Sequence, residues 1–343
     1  MITIKQIATM LGVSTTTVSN VIHGKTDQMT EATVEKVEKL IKEYNYIPNI
    51  SARNLANQSS KIIGVGMIND REIVENYLMD PFIGEIVGSI ERELVKHGYY
   101  MMLYFSKNVE ELVNTISAWS VDGLLFLGMV QEYDTGIDYN IDVRLKKPIV
   151  VIDSYIDELA PNTVSVRLED YKGGYLMGEY FLQQGHSKIA FLTDNYKGND
   201  YQRYLGFVDA VRDRGNSSVQ VNCIKASIQT NVLESLFDEV YEECMKYTAI
   251  FCTSDYYALN FMKYLDKKGI RVPDDISLAG FDDNIYSRIC TPGITTIHQD
   301  PTMKGKIAVE HMMKLLQQEE IREHRIDLPV ELVIRESVKQ MNL

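Results

Sequence analysis

The apolar residues near the start of the chain repeat at helical spacing in three short segments. The first segment predicts a helix over residues 4–10. Thr3 and Gln6 have the spacing of a capping box, and Gly12 permits a sharp turn after the helix. The apolar face of this helix consists of Ile4, Ile7, Ala8 and Leu11.

The second and third segments complete a small helical unit. Ser14 is a predicted N-cap for the second helix, whose inward face is Thr17, Val18, Val21 and Ile22. After a polar loop over residues 23–29, Thr30 is a predicted N-cap for the third helix. Its apolar face is Val34, Val37, Leu40, Ile41 and Tyr44. Two helices joined by a tight turn containing glycine, with a third helix closing the core, indicate a helix-turn-helix.

The predicted second helix contains three consecutive threonines, which are mediocre helix formers. Its outward positions are Thr15, Thr16, Ser19 and Asn20. In a helix-turn-helix the second helix enters the major groove, and short hydroxyl, methyl and amide groups suit contacts with base edges there. The alternative is that these residues form only a solvated helix face. The flanking helix-turn-helix pattern favours base contacts.

From Lys61 onward, β-rich runs alternate with helical patterns. Continuous apolar runs predict strands buried on both faces, as in parallel sheets. The predicted strands are 62–67, 99–105, 123–128, 148–153, 188–194, 219–226, 249–255, 276–282 and 328–334. The helical patterns lie at about 82–97, 170–184 and 301–318. Two successive βα series indicate an α/β fold class, with two doubly wound lobes and a cleft between them.

Charge and composition narrow the function classes. The 343 residues carry a formal net charge of −13, but the first 60 have a net charge of +1 and the remainder −14. No apolar run predicts a membrane span and no secretory pattern opens the chain, so we expect a cytoplasmic protein. The four cysteines and six histidines show no metal-site spacing. Dinucleotide and hydrolase motifs are also absent, so we expect no metal, no cofactor and no enzyme.

Charged residues follow several of the predicted body strands. Asp153, Asp255 and Asp282 lie at strand ends, and Arg203 lies near the start of a helix after another strand. Ligands of doubly wound sheets bind at the carboxyl ends of the strands. Carboxylates and an arginine can form charge-assisted hydrogen bonds with sugar hydroxyls. Each aspartate taken alone could instead be a strand-end cap or a surface charge.

Several segments along the chain match one known family. In the first 60 residues they are ITIKQIATMLGVS, TTTVSNVI, VEKVEKLIKEYNYIPN and SARNLA. In the body they include PFIGEIVGSIERELVKHGY, EDYKGGYLMGEYFLQQGHSKIAFL, DDISLAGFDD and GITTIHQD. By these segments the whole chain resembles the LacI/GalR family of bacterial transcription regulators. The resemblance implies a helix-turn-helix headpiece, a hinge helix and a core like a periplasmic sugar-binding protein.

For DNA binding, the resemblance implies a homodimer on near-palindromic, double-stranded operator DNA. Thr15, Thr16 and Asn20 match base-reading positions, and Leu55 matches a leucine wedged into the minor groove by a hinge that folds on DNA. Asn20 stands where many members have arginine, so we expect a different operator base there. The full predicted DNA-contact set is Thr3, Ser14, Thr15, Thr16, Ser19, Asn20, His23, Thr30, Tyr46, Asn49, Ala52 and Leu55.

For the body, the resemblance implies three crossings between lobes. The predicted domains are a headpiece (1–48), a hinge and linker (49–60), a first lobe (61–163 plus 291–324) and a second lobe (164–290 plus 325–343). Positions matching Asp153, Arg203 and Asp282 contact effector in the family, Phe82 would supply an apolar wall, and Ser254 replaces a common asparagine beside Asp255. The predicted effector set is Phe82, Asp153, Arg203, Ser254, Asp255 and Asp282.

The leading interpretation is an operator-binding regulator, a repressor, controlled by a sugar-like effector between the lobes. One alternative is the solute-binding protein of a sugar transporter, which the body permits but the first 60 residues oppose. Another is a sugar-modifying enzyme, for which no acid/base pair or nucleophile is identifiable. Within the regulator interpretation, a co-repressor or a partner protein as the effector stays open.

Overall fold

The protein is described by a computed structural model that covers residues 2–22, 24–46, 59–68, 77–128, 145–155, 159–193, 196–214, 218–226 and 233–341. The chain forms two units, Met1–Ser60 and Lys61–Leu343. The described part of the first unit contains α1 (Ile4–Leu11), α2 (Thr15–Ile22) and α3 (Glu31–Glu43). These helices bury a small core of Ile7, Ala8, Val18, Val21 and Val37.

Local capping accounts for the start of two of these helices. The Thr3 hydroxyl accepts from the Gln6 amide while the Gln6 side chain accepts from the Thr3 amide, which confirms the capping box. Ser14 Oγ accepts from the Thr17 amide at 3.0 Å, as predicted. Thr30 is the N-cap residue of α3, as predicted, but its side chain makes no capping hydrogen bond. Its hydroxyl lies 2.8 Å from the Thr33 hydroxyl instead.

The second unit contains two six-stranded sheets. The first sheet has the order β11-β5-β4-β3-β1-β2 and is parallel throughout. Its strands are β1 (Ile62–Ile68), β2 (Tyr100–Ser106), β3 (Gly123–Leu127), β4 (Ile149–Ile152), β5 (Thr163–Leu168) and β11 (Arg325–Leu328). Helices α4 (Pro81–Lys96), α5 (Val109–Ala118) and α11 (Pro301–Leu316) accompany it. Helix α11 packs against α4 and against strands β3 and β4.

The second sheet has the order β12-β10-β9-β8-β6-β7 and is parallel except for β12. Its strands are β6 (Lys188–Thr193), β7 (Gln220–Lys225), β8 (Ala249–Cys252), β9 (Ser277–Asp282), β10 (Thr295–His298) and β12 (Glu331–Val333). Its helices are α6 (Asp170–Gln183), α7 (Gly198–Arg214), α8 (Leu233–Cys244), α9 (Asp255–Lys267) and α10 (Ile285–Ile289). The apolar runs predicted as central strands are almost wholly buried, as parallel sheets require.

The chain crosses between the sheets three times, at 169, at 299–300 and at 329–330. The predicted lobe boundaries are each one strand too early. Strand β5 belongs to the first sheet, β10 to the second and β11 to the first, because each pairs there. The single last strand predicted over 328–334 is in fact two strands, β11 and β12, in different sheets.

Within the described residues, no helix is both long and apolar enough to span a bilayer.

Candidate functional site

A cluster of buried and half-buried polar side chains lies where strands β4 and β9 end and two of the chain crossings begin. It joins groups from both lobes through hydrogen bonds of 2.6–3.0 Å. We call it the inter-lobe cluster. Its members are Asp153, Tyr155, Asp170, Arg203, Asp282, Gln299 and Lys304.

Arg203 is anchored within the second lobe. Its Nε donates to Asp170 Oδ1 at 2.8 Å, and its Nη1 donates to the carbonyl of Thr253 at 2.7 Å. The guanidinium carbon lies 3.6 Å from the centre of the Phe281 ring. Burial raises the pKa of Asp170, and Arg203 opposes that shift by favouring the ionised carboxylate.

Two glycines allow helices α6 and α7 to approach each other closely. A Cβ on Gly206 of α7 would lie 1.8 Å from the Tyr171 carbonyl oxygen, and one on Gly174 of α6 would lie 1.8 Å from that of Arg203. Only glycine permits this approach of backbone to backbone. The close contact holds Arg203 beside Asp170, which is the first residue of α6.

Asp170 also links the second lobe to the first. The hydroxyl of Tyr155, which follows β4, donates to Asp170 Oδ2 at 3.0 Å. The Arg167 guanidinium packs over the Tyr155 ring at 4.5 Å. Burial is the largest cause of the raised pKa of Tyr155, so the phenol stays protonated and remains a hydrogen-bond donor.

A second chain of contacts passes through the crossover at 299–300. Lys304 Nζ donates to both carboxylate oxygens of Asp153, each at 2.7 Å, and to Gln299 Oε1 at 2.7 Å. Gln299 Nε2 donates to Asp282 Oδ1 at 2.6 Å. Asp153 and Lys304 belong to the first lobe and Asp282 ends β9 in the second, so this chain also ties the lobes together.

The acidic ends of these strands have unusual backbone conformations. Asp153, Asp282 and Asp283 have φ values of 53°, 118° and 56°. Positive φ is costly for a residue with a side chain, and such residues gather at functional sites. Burial raises the pKa of Asp282, with the nearby Asp255 and Asp80 raising it further and Arg203 lowering it.

A cavity of about 190 Å³ adjoins the cluster between the start of α4 and the end of β9. Phe82 of α4 and Pro301 supply apolar walls, while Asp282 and Gln299 connect the cavity to the cluster. Its remaining walls include Arg288 and His298, which both bind the Asp283 carboxylate. The volume suits part of a small polar molecule.

The headpiece presents a second candidate interface, for nucleic acid. Val18 and Val21 of α2 are buried, while Thr15 and Thr16 are exposed and Ser19 and Asn20 half-buried. The outward face is therefore the one predicted to meet base edges. Tyr46 packs partly against the headpiece core.

Comparisons with known proteins agree with both regions. Residues 3–49 match the model described as "Bacterial regulatory proteins, lacI family", and residues 179–338 match "Periplasmic binding protein-like domain". The chain is 34% identical over 361 residues to the HTH-type transcriptional repressor PurR of Haemophilus influenzae (strain PittEE), covering 99% of this chain and 100% of that protein. It belongs to the lacI family of bacterial transcription regulators.

Other similar proteins also match over nearly the whole chain. The PurR repressor of Vibrio atlanticus (strain LGP32) is 30% identical over 354 residues, covering all of both chains. A lac repressor dimer bound to operator and the anti-inducer ONPF superposes with a TM-score of 0.79 and 25% identity, covering 98% of this chain and 99% of that one. A CelR–cellobiose complex shares the fold, with a TM-score of 0.69 and 23% identity over 98% of this chain and all of that one.

The structure brings together some of the predicted effector residues and separates others. Asp153, Arg203 and Asp282 lie in the inter-lobe cluster, and Phe82 lines the adjoining cavity. Ser254 is the N-cap of α9, its hydroxyl accepting from the Tyr257 amide at 3.3 Å. The predicted DNA contacts His23, Asn49, Ala52 and Leu55 lie outside the described residues.

Asp255 follows the end of β8, as predicted, but its carboxylate is occupied by groups of its own lobe. Its side chain is fully buried, and its oxygens accept from the Thr296 hydroxyl at 2.6 Å and the Asn284 amide at 2.9 Å. Burial raises its pKa to about 7. A carboxyl group occupied in this way connects α9, β10 and the start of α10, so its position does not support the predicted effector contact.

Sequence reasoning missed four members of the cluster, Tyr155, Asp170, Gln299 and Lys304. One signal could have identified Lys304. It shares the spacing i, i+4, i+8 with the buried Ala308 and Met312, so helical periodicity places a lysine on the buried face of α11. A lysine in such a place needs a carboxylate partner.

Proposed function

We propose that this protein is a cytoplasmic, homodimeric repressor that binds a near-palindromic operator and responds to a small, sugar-like effector between its lobes. The main support for an effector between the lobes is the inter-lobe cluster, in which Asp153, Arg203 and Asp282 meet beside the apolar Phe82. The outward threonines of α2 support the proposed binding to operator DNA. The repressors named PurR support the direction of regulation.

The cluster suits a neutral ligand that is rich in hydroxyl groups. Arg203 and Lys304 are paired with Asp170 and Asp153, so both positive charges are already balanced within the cluster. Carboxyl and amide groups can accept from and donate to hydroxyls, while Phe82 can pack on the apolar face of a sugar ring. The strand-end position of Asp153 and Asp282 is where doubly wound folds bind ligands.

Coupling to DNA follows from the two-lobe arrangement. An effector held by residues of both lobes favours one angle between them, and it shifts the population only as far as its affinity for the two angles differs. In a dimer, we propose, the lobe angle sets the spacing of the two hinges and hence operator affinity. A sugar that tightens operator binding is a co-repressor, and one that weakens it is an inducer.

The test begins with a thermal-shift screen of D-ribose, D-glucose, D-galactose and cellobiose. A ligand at 100 times its Kd adds about 2.7 kcal/mol, which is readily detected. Labelled operator, selected from a random library, is then titrated with and without each stabilising sugar. If no sugar changes either the melting temperature or the operator affinity, the sugar-like effector is excluded.

The variant Asp282→Asn tests whether the effector that causes the sugar response binds at this cluster. The asparagine keeps the shape and can still accept from Gln299, but it removes the carboxyl group offered to the sugar. We expect the sugar response to be lost while the variant still binds operator without sugar, because the bond from Gln299 is kept in a neutral form. Asp213→Asn, an exposed change on α7, is the matched control. A wild-type response in Asp282→Asn would place the effector elsewhere.

A further inference from the structure

Lys304 is a wholly buried lysine inside the inter-lobe cluster. Its relative exposure is 0%, and it lies on the face of α11 that also buries Ala308 and Met312. Its ammonium group has three N–H donors and no acceptor. All three are used, two by the oxygens of Asp153 and one by Gln299 Oε1.

This arrangement fixes the orientation of the Gln299 amide. Because an ammonium can only donate, the atom of Gln299 that faces Lys304 must be the carbonyl oxygen. The amide nitrogen must then face the other way, where it donates to Asp282 Oδ1 at 2.6 Å. Lys304 of the first lobe therefore determines that Asp282 of the second lobe faces the amide nitrogen of Gln299.

We propose that Lys304 is a positioning residue of the effector site, which holds Asp153 and turns Gln299 so that the first lobe stays tied to Asp282 on the second. This deepens the proposed function, on which its link to the effector rests. Lys304 itself contacts no effector, since its donors are already used. Its effect is to present Asp153 and Asp282 to the effector in fixed orientations.

Removing the ammonium has two local consequences. Asp153 becomes a buried carboxylate without its cation, and the Gln299 amide becomes free to turn its oxygen towards Asp282. Two oxygens facing each other cannot form the bond unless the carboxyl is protonated. The tie between the lobes then loosens at the crossover 299–300 and at the end of β9.

The experiment compares three variants of the full chain by hydrogen–deuterium exchange without any added sugar. Lys304→Met replaces the ammonium by an apolar side chain of similar length. Lys306→Met is the matched control, because Lys306 is exposed on the same helix and pairs only loosely with Glu310 at 3.8 Å. Gln299→Glu keeps an acceptor for Lys304 but has no N–H to donate to Asp282.

In Lys304→Met, we expect the exchange rate of segments 282–284 and 299–304 to rise about tenfold. In Gln299→Glu, we expect the same rise in segment 282–284. The control Lys306→Met should exchange like the wild type. If Lys304 only neutralised a buried charge, Lys304→Met would loosen the first lobe around Asp153 and leave exchange in 282–284 at the wild-type level, and this result would overturn the proposal. Gln299→Glu shows the exchange expected when the bond to Asp282 is lost with the lysine still present. Should Lys304→Met fail to fold, Lys304→Met combined with Asp153→Asn decides, because it leaves no carboxylate without its cation. Raised exchange in 282–284 then supports the positioning role, and wild-type exchange overturns it.

A second measurement links the tie to the effector. For whichever of the four sugars stabilises the wild type, we expect Lys304→Met and Gln299→Glu each to weaken sugar affinity by about tenfold. Wild-type affinity in both would overturn the positioning role. If no sugar acts on the wild type, the proposed sugar effector fails while the exchange comparison still decides whether Lys304 positions Gln299.

Discussion

Replacing Arg203 by alanine should destabilise the protein in a way that depends on pH. The change removes the Nε bond to Asp170 and the Nη1 bond to the Thr253 carbonyl, and Asp170 stays fully buried with Tyr155 as its remaining described hydrogen-bond partner. Breaking a buried ion pair by removing one partner costs about 3–5 kcal/mol, since the other charge is left uncompensated. We expect a loss of that size near neutral pH.

The sign of the pH dependence follows from the pKa of Asp170. Burial raises this pKa above its ordinary value of 3.8, and Arg203 lowers it, so the variant should have a pKa higher than the wild type. A carboxyl group with a raised pKa in the folded state stabilises the fold at pH values below its pKa in the unfolded state. This stabilisation is lost as the pH rises through the pKa of the folded state. The variant's deficit should therefore be larger at pH 8 than at pH 5.

Calorimetric melting of wild type and Arg203→Ala at pH 5 and pH 8, at one protein concentration, measures this difference. Arg203→Ala with Asp170→Asn should recover much of the loss at pH 8, because no buried charge remains. Arg212→Ala, which removes an exposed arginine of the same helix, should leave the melting temperature unchanged. An equal deficit at both pH values, or no recovery in the double variant, would refute the assignment of the cost to Asp170.

Three further changes test other parts of the structure. Asn20→Arg should shift one operator half-site position towards guanine by about 1–3 kcal/mol, measured by selection from a randomised library. Leu55→Ala should weaken operator binding with little change in the melting temperature, because we expect the hinge to fold only on DNA; the reverse pattern would exclude the wedge. Gly206→Ala should cost about 1–3 kcal/mol or more, because its Cβ meets the Tyr171 carbonyl at 1.8 Å, whereas Gly88→Ala, with open space, should be neutral or stabilising in thermal melts.

The elements that could be predicted are those whose signal lies within a few residues. The spacing of apolar residues located α1 to α3, and the apolar runs located the central strands, because burial on one face or on both leaves a local pattern. The strand ends then identified Asp153 and Asp282 as neighbours in space. These inferences needed no knowledge of which strands pair.

The parts that could not be predicted depend on contacts between distant residues. Strand β11 pairs with β5, which lies some 160 residues earlier, and nothing in the four residues of β11 specifies that partner. The lobe boundaries were one strand too early for this reason. Asp255 also follows a strand, as Asp153 does, but its partners Asn284 and Thr296 lie 29 and 41 residues further along the chain, and their segments bury it.

The two polar ties between the lobes limit how an effector can act. One tie is Tyr155 to Asp170 and the other is Gln299 to Asp282. Hydrogen bonds to charged groups contribute about 1.5–3 kcal/mol each, whereas moving a population from 1:99 to 99:1 needs about 5.5 kcal/mol. Breaking both ties therefore costs about 3–6 kcal/mol, so the two ties together reach the required free-energy difference only near the upper end of that range. An effector that added contacts equally to both lobe angles would leave the population unchanged. We therefore expect an effector that changes the lobe angle to compete with one of these ties, at Asp170 or at Asp282.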